Sequence, residues 1–553
     1  MQQLDGYHIM IVSKYFSTIL DFIKLQFVCK KFYNNMEKFH YNPVTLTNKT
    51  VSYFPHLETL HLYSRCSQTF GKKYIYLKRW DKPLLSEVKR SFYKTVVWFR
   101  VPYENTLDPA YATFDFKNVS CTPLTMQICN GEIPPIVNSL KKECFVNNTK
   151  TGLFRIPNHI TSLGKKCFYS SKATSFSLPT TLKKIKYYCF SLCSLTSISI
   201  PDSVITIGNS CFYMCSNLVN VTLPESLYQL GDYFFNYCTS LKTVKIPPTV
   251  SVLCYKCFEH CSSLSSINIP NGVLSIEKSC FSYCTSLSQI SLPNTVNNIG
   301  GGCFKGCSSL TSVELPLLIA SLDSEVFQNC SKLPYIHIPG NVKVIKKHCF
   351  DCCGKLSQIE FCHSITAFEE SCFNGCCALT ELELPKTVIR ISNNMFAHCL
   401  NIKNVILSDN IVEIPNYCFN QCSSLVEIHI PTKCEKVGEY SFSLCISLQH
   451  VSIPDSVTSI GNYCFYNCVE LKSVTLPCKI LKLGENCFES CSQLYNVQNL
   501  NKIGSFDKNA FVGCYSFDIS QYTKQKKAEK GCSDKQKKGK KGENTSKKGN
   551  KKH

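Results

Sequence analysis

The sequence predicts an α/β solenoid: a parallel sheet on one face and short helical or 3₁₀ turns on the other. A small helical segment precedes the stack and a disordered tail follows it. Three observations carry this reading. A phenylalanine recurs seventeen times, from Phe145 to Phe511, at steps of 23 residues twice shortened to 22. A fixed period in this range means stacked units, each unable to bury its own apolar face without its neighbours. The other apolar residues keep their phase from unit to unit, and residues 521–553 abruptly exchange them for lysine.

Residues 1–40 lie outside the repeat. From Ile9 to Phe32 they read IMIVSKYFSTILDFIKLQFVCKKF. Ile9, Val12, Phe16 and Ile19 have helical spacing, as do Phe22, Leu25, Val28, Cys29 and Phe32, so two or three short amphipathic helices are expected. Their structural role would be a cap on the exposed end of the stack. Residues 41–133 are partly repeat-like: Phe54–Leu62 carries an L-x-x-L-x-L strand signature and Thr95–Val101 reads as another strand. This stretch is expected to extend the sheet with irregular units and longer insertions.

The repeats fill residues 134–520. In the unit PDSVITIGNSCFYMCSNLVNVTL (201–223) the stretch Leu218-x-x-Val221-x-Leu223 ends in the period of two of a short strand. Pro224 closes it, having no N–H to donate to a ladder. From Ile207 to Leu218, Cys211 and Cys215 flank Phe212 at the spacing of a helical or 3₁₀ turn, with Gly208 where the chain would bend. At about 4.8 Å per strand, seventeen units would measure roughly 80 Å.

The pattern P-x-x-V-x-x-I-G-x-x-x-C-F-x-x-C-x-x-L-x-x-V-x-L, as in 454–476, resembles the BspA-like leucine-rich repeat family. The resemblance implies a leucine-rich repeat fold and a binding role, without naming the partner. It departs from the family at the position before the phenylalanine, usually alanine, which is cysteine in twelve units. In the first segment, Asp21, Phe22, Leu25, Val28, Cys29 and Phe32 fall on a D-hh-x-L-x-x-V-C-[KR]-x-F run that resembles an F-box. That resemblance implies docking on the adapter subunit of a cullin ubiquitin ligase, with the repeats capturing substrate. The usual Leu-Pro opening is missing.

Of 38 cysteines, twelve directly precede the repeat phenylalanine and fifteen, from Cys193 to Cys514, lie three residues after it. Other units place Ala510, Val326, Met395, Phe234 or Ser441 before the phenylalanine. Such exchange marks a small buried side chain, and reduced cysteine is among the most buried residue types. A disulfide ladder would need an oxidising compartment. The N-terminus lacks the basic region and long apolar run of a secretion signal, and no stretch reaches the 18 apolar residues of a spanning helix. The expectation is a cytoplasmic protein with reduced thiols. Relatives that reach the cell surface without an evident signal leave surface display, as an adhesion protein, open.

Residues 521–553 hold thirteen lysines against Glu529, Asp534 and Glu543, about half of the formal net charge of +21. Such a composition cannot bury enough apolar surface to fold. Lys535, Lys537, Lys538, Lys540 and Lys541 form a run compatible with a nuclear-import signal or with contact to anionic membrane. No aromatic residue is interleaved with them, which argues against base stacking.

Side chains that alternate out of the strands are the candidate partner surface. Serine and threonine dominate its ends. In the middle, Glu314, Tyr335, His337, Glu360, Glu381, Glu383, Glu427, His429 and His450 form an acidic, histidine-containing patch suited to a basic protein partner. Nothing pairs a nucleophile with a base, and Gly300-Gly301-Gly302 lacks the Gly-Lys-Ser/Thr ending of a phosphate loop. The expectation is a non-enzymatic interaction protein with no cofactor and no metal.

Overall fold

The computed structural model describes residues 5–71, 88–480, 482–503 and 505–520. The chain divides near residue 220 into two compact units, the first reaching residue 215 and including 221–224, the second comprising 216–220 and the chain from 225 onward. Each is a parallel β-solenoid. The lysine-rich run expected in the tail, Lys535 to Lys541, lies outside the described residues.

In the first unit, strands Thr59–Leu62, Lys94–Val97 and Phe114–Phe116 form one parallel sheet. A second runs in the order Val101–Pro102, Val119–Cys121, Val137–Leu140, Ser162–Leu163, Lys184–Ile185 and Thr206–Ile207. Two helices, α1 (Gly6–Ser13) and α2 (Ile19–Val28), precede them. Phe22 of α2 packs edge to face on Phe39 and Phe54, with ring centroids 5.7 and 5.6 Å away.

In the second unit each coil advances 23 residues, and most coils carry two strands, not the single one expected. The longer strand is the one read from the sequence: Glu427–His429, His450–Ser452, Ser473–Thr475 and Asn496–Gln498 pair in register. The other is only two residues long, as in Val252–Leu253, Ser275–Ile276 and Asn298–Ile299. This segment belongs to the V-x-x-I-G part of the repeat, whose pattern resembles the start of a helical turn. Two residues are too few to show alternation.

The turn side is not regular helix either. In the coil around Phe258, Cys257, Glu259 and Cys261 donate their N–H groups three residues back, as in a 3₁₀ turn. The intervening N–H groups of Lys256, Phe258 and His260 instead reach the next coil, at the carbonyls of Lys278, Cys280 and Ser282. Lys256 and His260 sit in the left-handed region, φ 53° and 61°, which re-aims every second amide. Where a glycine precedes the turn, as in the coil of Phe304, it has a different role from the bend assigned to it. A Cβ on Gly300 would lie 2.4 Å from the backbone N of Lys278, so glycine there admits the neighbouring coil.

The core is a column of parallel rings. Phe281 and Phe304 stack at 5.8 Å and 2°, and Phe465 and Phe488 at 5.2 Å and 1°; all four are fully buried. The two cysteine columns flank them and are buried, with no disulfide among the described residues. The cysteine three residues after each phenylalanine does more than fill space. Its thiol donates to the carbonyl of the preceding coil's phenylalanine: Cys307 to Phe281 at 3.2 Å, Cys330 to Phe304 at 3.2 Å, Cys353 to Phe327 at 3.1 Å. That carbonyl already accepts the N–H of its own coil's cysteine, so the thiol satisfies its second lone pair.

Candidate functional site

The long strands of the second unit bury their central residue and expose the residues on either side, the geometry of period-two alternation. Glu314, Tyr335, His337, Glu360, Glu381, Glu383, Glu427, His429 and His450 are accordingly all exposed. Parallel pairing in register sets Tyr335 beside Gln358, His337 beside Glu360, Glu381 beside Asn404, Glu383 beside Ile406, and Glu427 beside His450.

The carboxylates differ in surroundings. Glu360 Oε2 accepts the Tyr335 hydroxyl at 2.7 Å and lies 3.3 Å from His337 Nδ1. The tyrosine bond, with a smaller contribution from His337, holds the Glu360 carboxyl below its ordinary value and raises that of the Tyr335 phenol. Glu381 and Glu383 have no ion-pair partner among the described residues. They line an open groove of about 1070 Å³ together with Gln358, Phe361, Lys386 and Ile406. A neighbouring groove of about 810 Å³ is lined by Lys245, Asn268, Ser291, Glu314 and Tyr335. At the other end of the patch His450 Nδ1 lies 2.7 Å from Ser473 Oγ. The arrangement sets carboxylates on adjacent coils, Glu360 on one and Glu381 with Glu383 on the next, which concentrates negative charge on this face.

Sequence reasoning misses Phe361 and Lys386. A signal exists: the repeat loses the Leu-Pro or Ile-Pro that closes most of its strands at Phe361-Cys362-His363, the end of the strand Gln358–Phe361. It pairs with Tyr335–Ile338, while Glu381–Glu383 begins a separate sheet, so the groove lies at a break in the ladder.

The six residues of the N-terminal signature do not share one surface. The Asp21 carboxylate accepts the Thr18 N–H at 2.9 Å and the Thr18 hydroxyl at 2.8 Å, closing the start of α2; these bonds hold its carboxyl below the ordinary value. Phe22 and Leu25 are buried, Cys29 and Phe32 are half-buried, and only Val28 is exposed. Among the described residues no helix is long and apolar enough to cross a membrane, and no cluster of three or more His, Cys, Asp or Glu could hold a metal ion.

With this architecture in place the chain belongs to the BspA type leucine rich repeat family, whose model matches at residues 138–265, 253–379, 345–443 and 412–530. No curated protein matches it significantly. Among solved structures it is similar to a leucine-rich repeat protein from Bacteroides ovatus, 26% identical over 58% of this chain and 91% of that one, with a TM-score of 0.50. It is also similar to a leucine rich cell surface protein from Faecalibacterium prausnitzii, 22% identical over 66% and 83%, with a TM-score of 0.30.

Proposed function

We propose that the chain is a non-enzymatic scaffold that holds a basic protein partner on the exposed strand face of its second unit. The observation that carries this reading is the pair Glu381 and Glu383, exposed beside an open groove and without an ion-pair partner among the described residues. Leaving like charges close together on one strand is unfavourable for the sheet itself, and a cationic partner relieves that cost. Glu314 and Glu427 extend the same field, and Tyr335 and His337 give it hydrogen-bonding and aromatic contacts.

The test is a paired capture from the protein's own cells, with wild type and the triple variant Glu360→Lys, Glu381→Lys, Glu383→Lys. Proteins retained by the wild type at low salt should be lost from the variant and should leave the wild type as salt rises. Retention unchanged in the variant would sink the reading.

We read residues 1–40 as the cap of the first unit, on the strength of Phe22 packed against Phe39 and Phe54. Adapter docking through Asp21, Phe22, Leu25, Val28, Cys29 and Phe32 is the less supported reading, because Asp21 closes its own helix and Phe22 and Leu25 face inward.

A further inference from the structure

We propose that α2 and the residues flanking it form a docking surface for an anionic lipid bilayer. Leu20, Lys24, Phe27 and Val28 stand at i, i+4, i+7 and i+8, which places them on one face of α2; Phe22 and Leu25 lie opposite. The helix is therefore apolar on two faces, and the protein covers one. Phe27 is 85% exposed, Val28 71% and Leu20 59%. The same spacing recurs around α1, where Tyr7, Ile11 and, just past its end, Tyr15 are exposed beside Lys14. Tyr33, exposed as well, follows the short turn Lys30–Phe32.

Charge selects the occupant. Lys14, Lys24, Lys30 and Lys31 are exposed, and none is ion-paired among the described residues. The only acids between residues 5 and 33 are Asp5 and Asp21, and both carboxylates are engaged at helix N-termini: Asp5 by the N–H groups of Tyr7 and His8, Asp21 by Thr18. What remains is a set of exposed aromatic and aliphatic side chains interspersed with lysines. Short helices of this composition lie in the plane of the headgroup layer, apolar side chains entering it and lysines reaching the lipid phosphates and carboxylates. Binding by one such element is weak, and a second, purely electrostatic attraction reinforces it.

The experiment is flotation of the full-length chain with vesicles of phosphatidylcholine, with and without about one third phosphatidylserine. Wild type should float with the anionic vesicles and not with phosphatidylcholine alone. Leu20→Ser with Phe27→Ser should lower the bound fraction about tenfold or more. Because both side chains are exposed, the thermal unfolding curve should be unchanged, which separates lost docking from lost folding. Lys24→Glu with Lys30→Glu and Lys31→Glu should give a comparable loss. Three results would overturn the proposal: no flotation of wild type with anionic vesicles, flotation of the serine variant equal to wild type (binding by the lysine-rich segment alone), or a soluble protein held through Leu20 and Phe27 with no vesicle binding.

Discussion

Phenylalanines organise both the segment before the repeats and the repeats themselves, but they pack in opposite ways. Phe22, Phe39 and Phe54 meet edge to face, at 73° to 81°. Most repeat phenylalanines stack with their planes within a few degrees of parallel, as at Phe258–Phe281 and Phe419–Phe442, both 3°. Isolated rings choose the geometry that sets a positive edge on a negative face. Repeat rings have no such choice. Identical coils related by translation carry identical side-chain orientations, and the strand spacing sets the ring separation. Periodicity thus overrides the pairwise preference, and the return is a core in which each ring is covered on both faces.

The largest expected effect breaks that column. Phe304→Ala should cost about 3–5 kcal/mol in a urea titration. In a nearest-neighbour stack the loss belongs to adjoining coils, so hydrogen exchange should rise in the coils of Phe281 and Phe327 and fade beyond them. A uniform rise across the second unit would show that its coils unfold together. Phe22→Ala should instead loosen α2, Phe39 and Phe54 and leave exchange in the repeats unchanged.

The two cysteine columns provide a finer contrast. Cys303 is fully buried and its thiol donates to no acceptor among the described residues, whereas the Cys307 thiol donates to Phe281. Cys303→Ala removes a side chain that donates no hydrogen bond, at a position that Ala510 fills in another coil, and should cost about 1 kcal/mol. Cys307→Ala also removes the donor to the Phe281 carbonyl and should cost about 1 kcal/mol more. Equal costs would mean that the thiol ladder contributes nothing beyond packing.

Alkali should reveal the same thiols collectively. Burial pushes the Cys307 thiol up to about 12, and Cys303 is raised as well, also chiefly by burial. Above the ordinary thiol range the unfolded chain releases protons that the folded chain still holds, so stability falls as pH rises. Stability should hold below about pH 8 and decline from about 9 upward in pH-dependent urea titrations. A plateau through about pH 11 would contradict the burial of these groups.

The smallest effect lies on the strand face. Tyr335→Phe removes the hydroxyl bonded to Glu360, so the Glu360 carboxyl should titrate closer to its ordinary value by NMR. The thermal midpoint should not move, because the pair is exposed.

Much of this architecture is legible in the sequence. The phenylalanine phase, the long strands and the buried cysteine columns follow from a period that repeats the same residue in the same surroundings. The short strands do not show, because a pair such as Ser275–Ile276 is too brief to alternate. The left-handed residues are equally hidden: lysine, serine, tyrosine, histidine and asparagine all occupy those positions, so no residue type marks them. In the candidate site, exposure of the acidic columns can be read from alternation. The groove cannot, since it depends on where the ladder between strands breaks.

The sequence alone determined the repeat length, which residues face inward, and the membership in a leucine-rich repeat family. These depend on local patterning, which a linear chain displays directly. Only the tertiary structure decided that alternate turn amides bond to the next coil, that the thiols ladder onto the preceding phenylalanine carbonyls, and that α2 covers one apolar face and leaves the other open. Each of those joins residues about one coil apart or more, and geometry at that distance is set by how the coils stack.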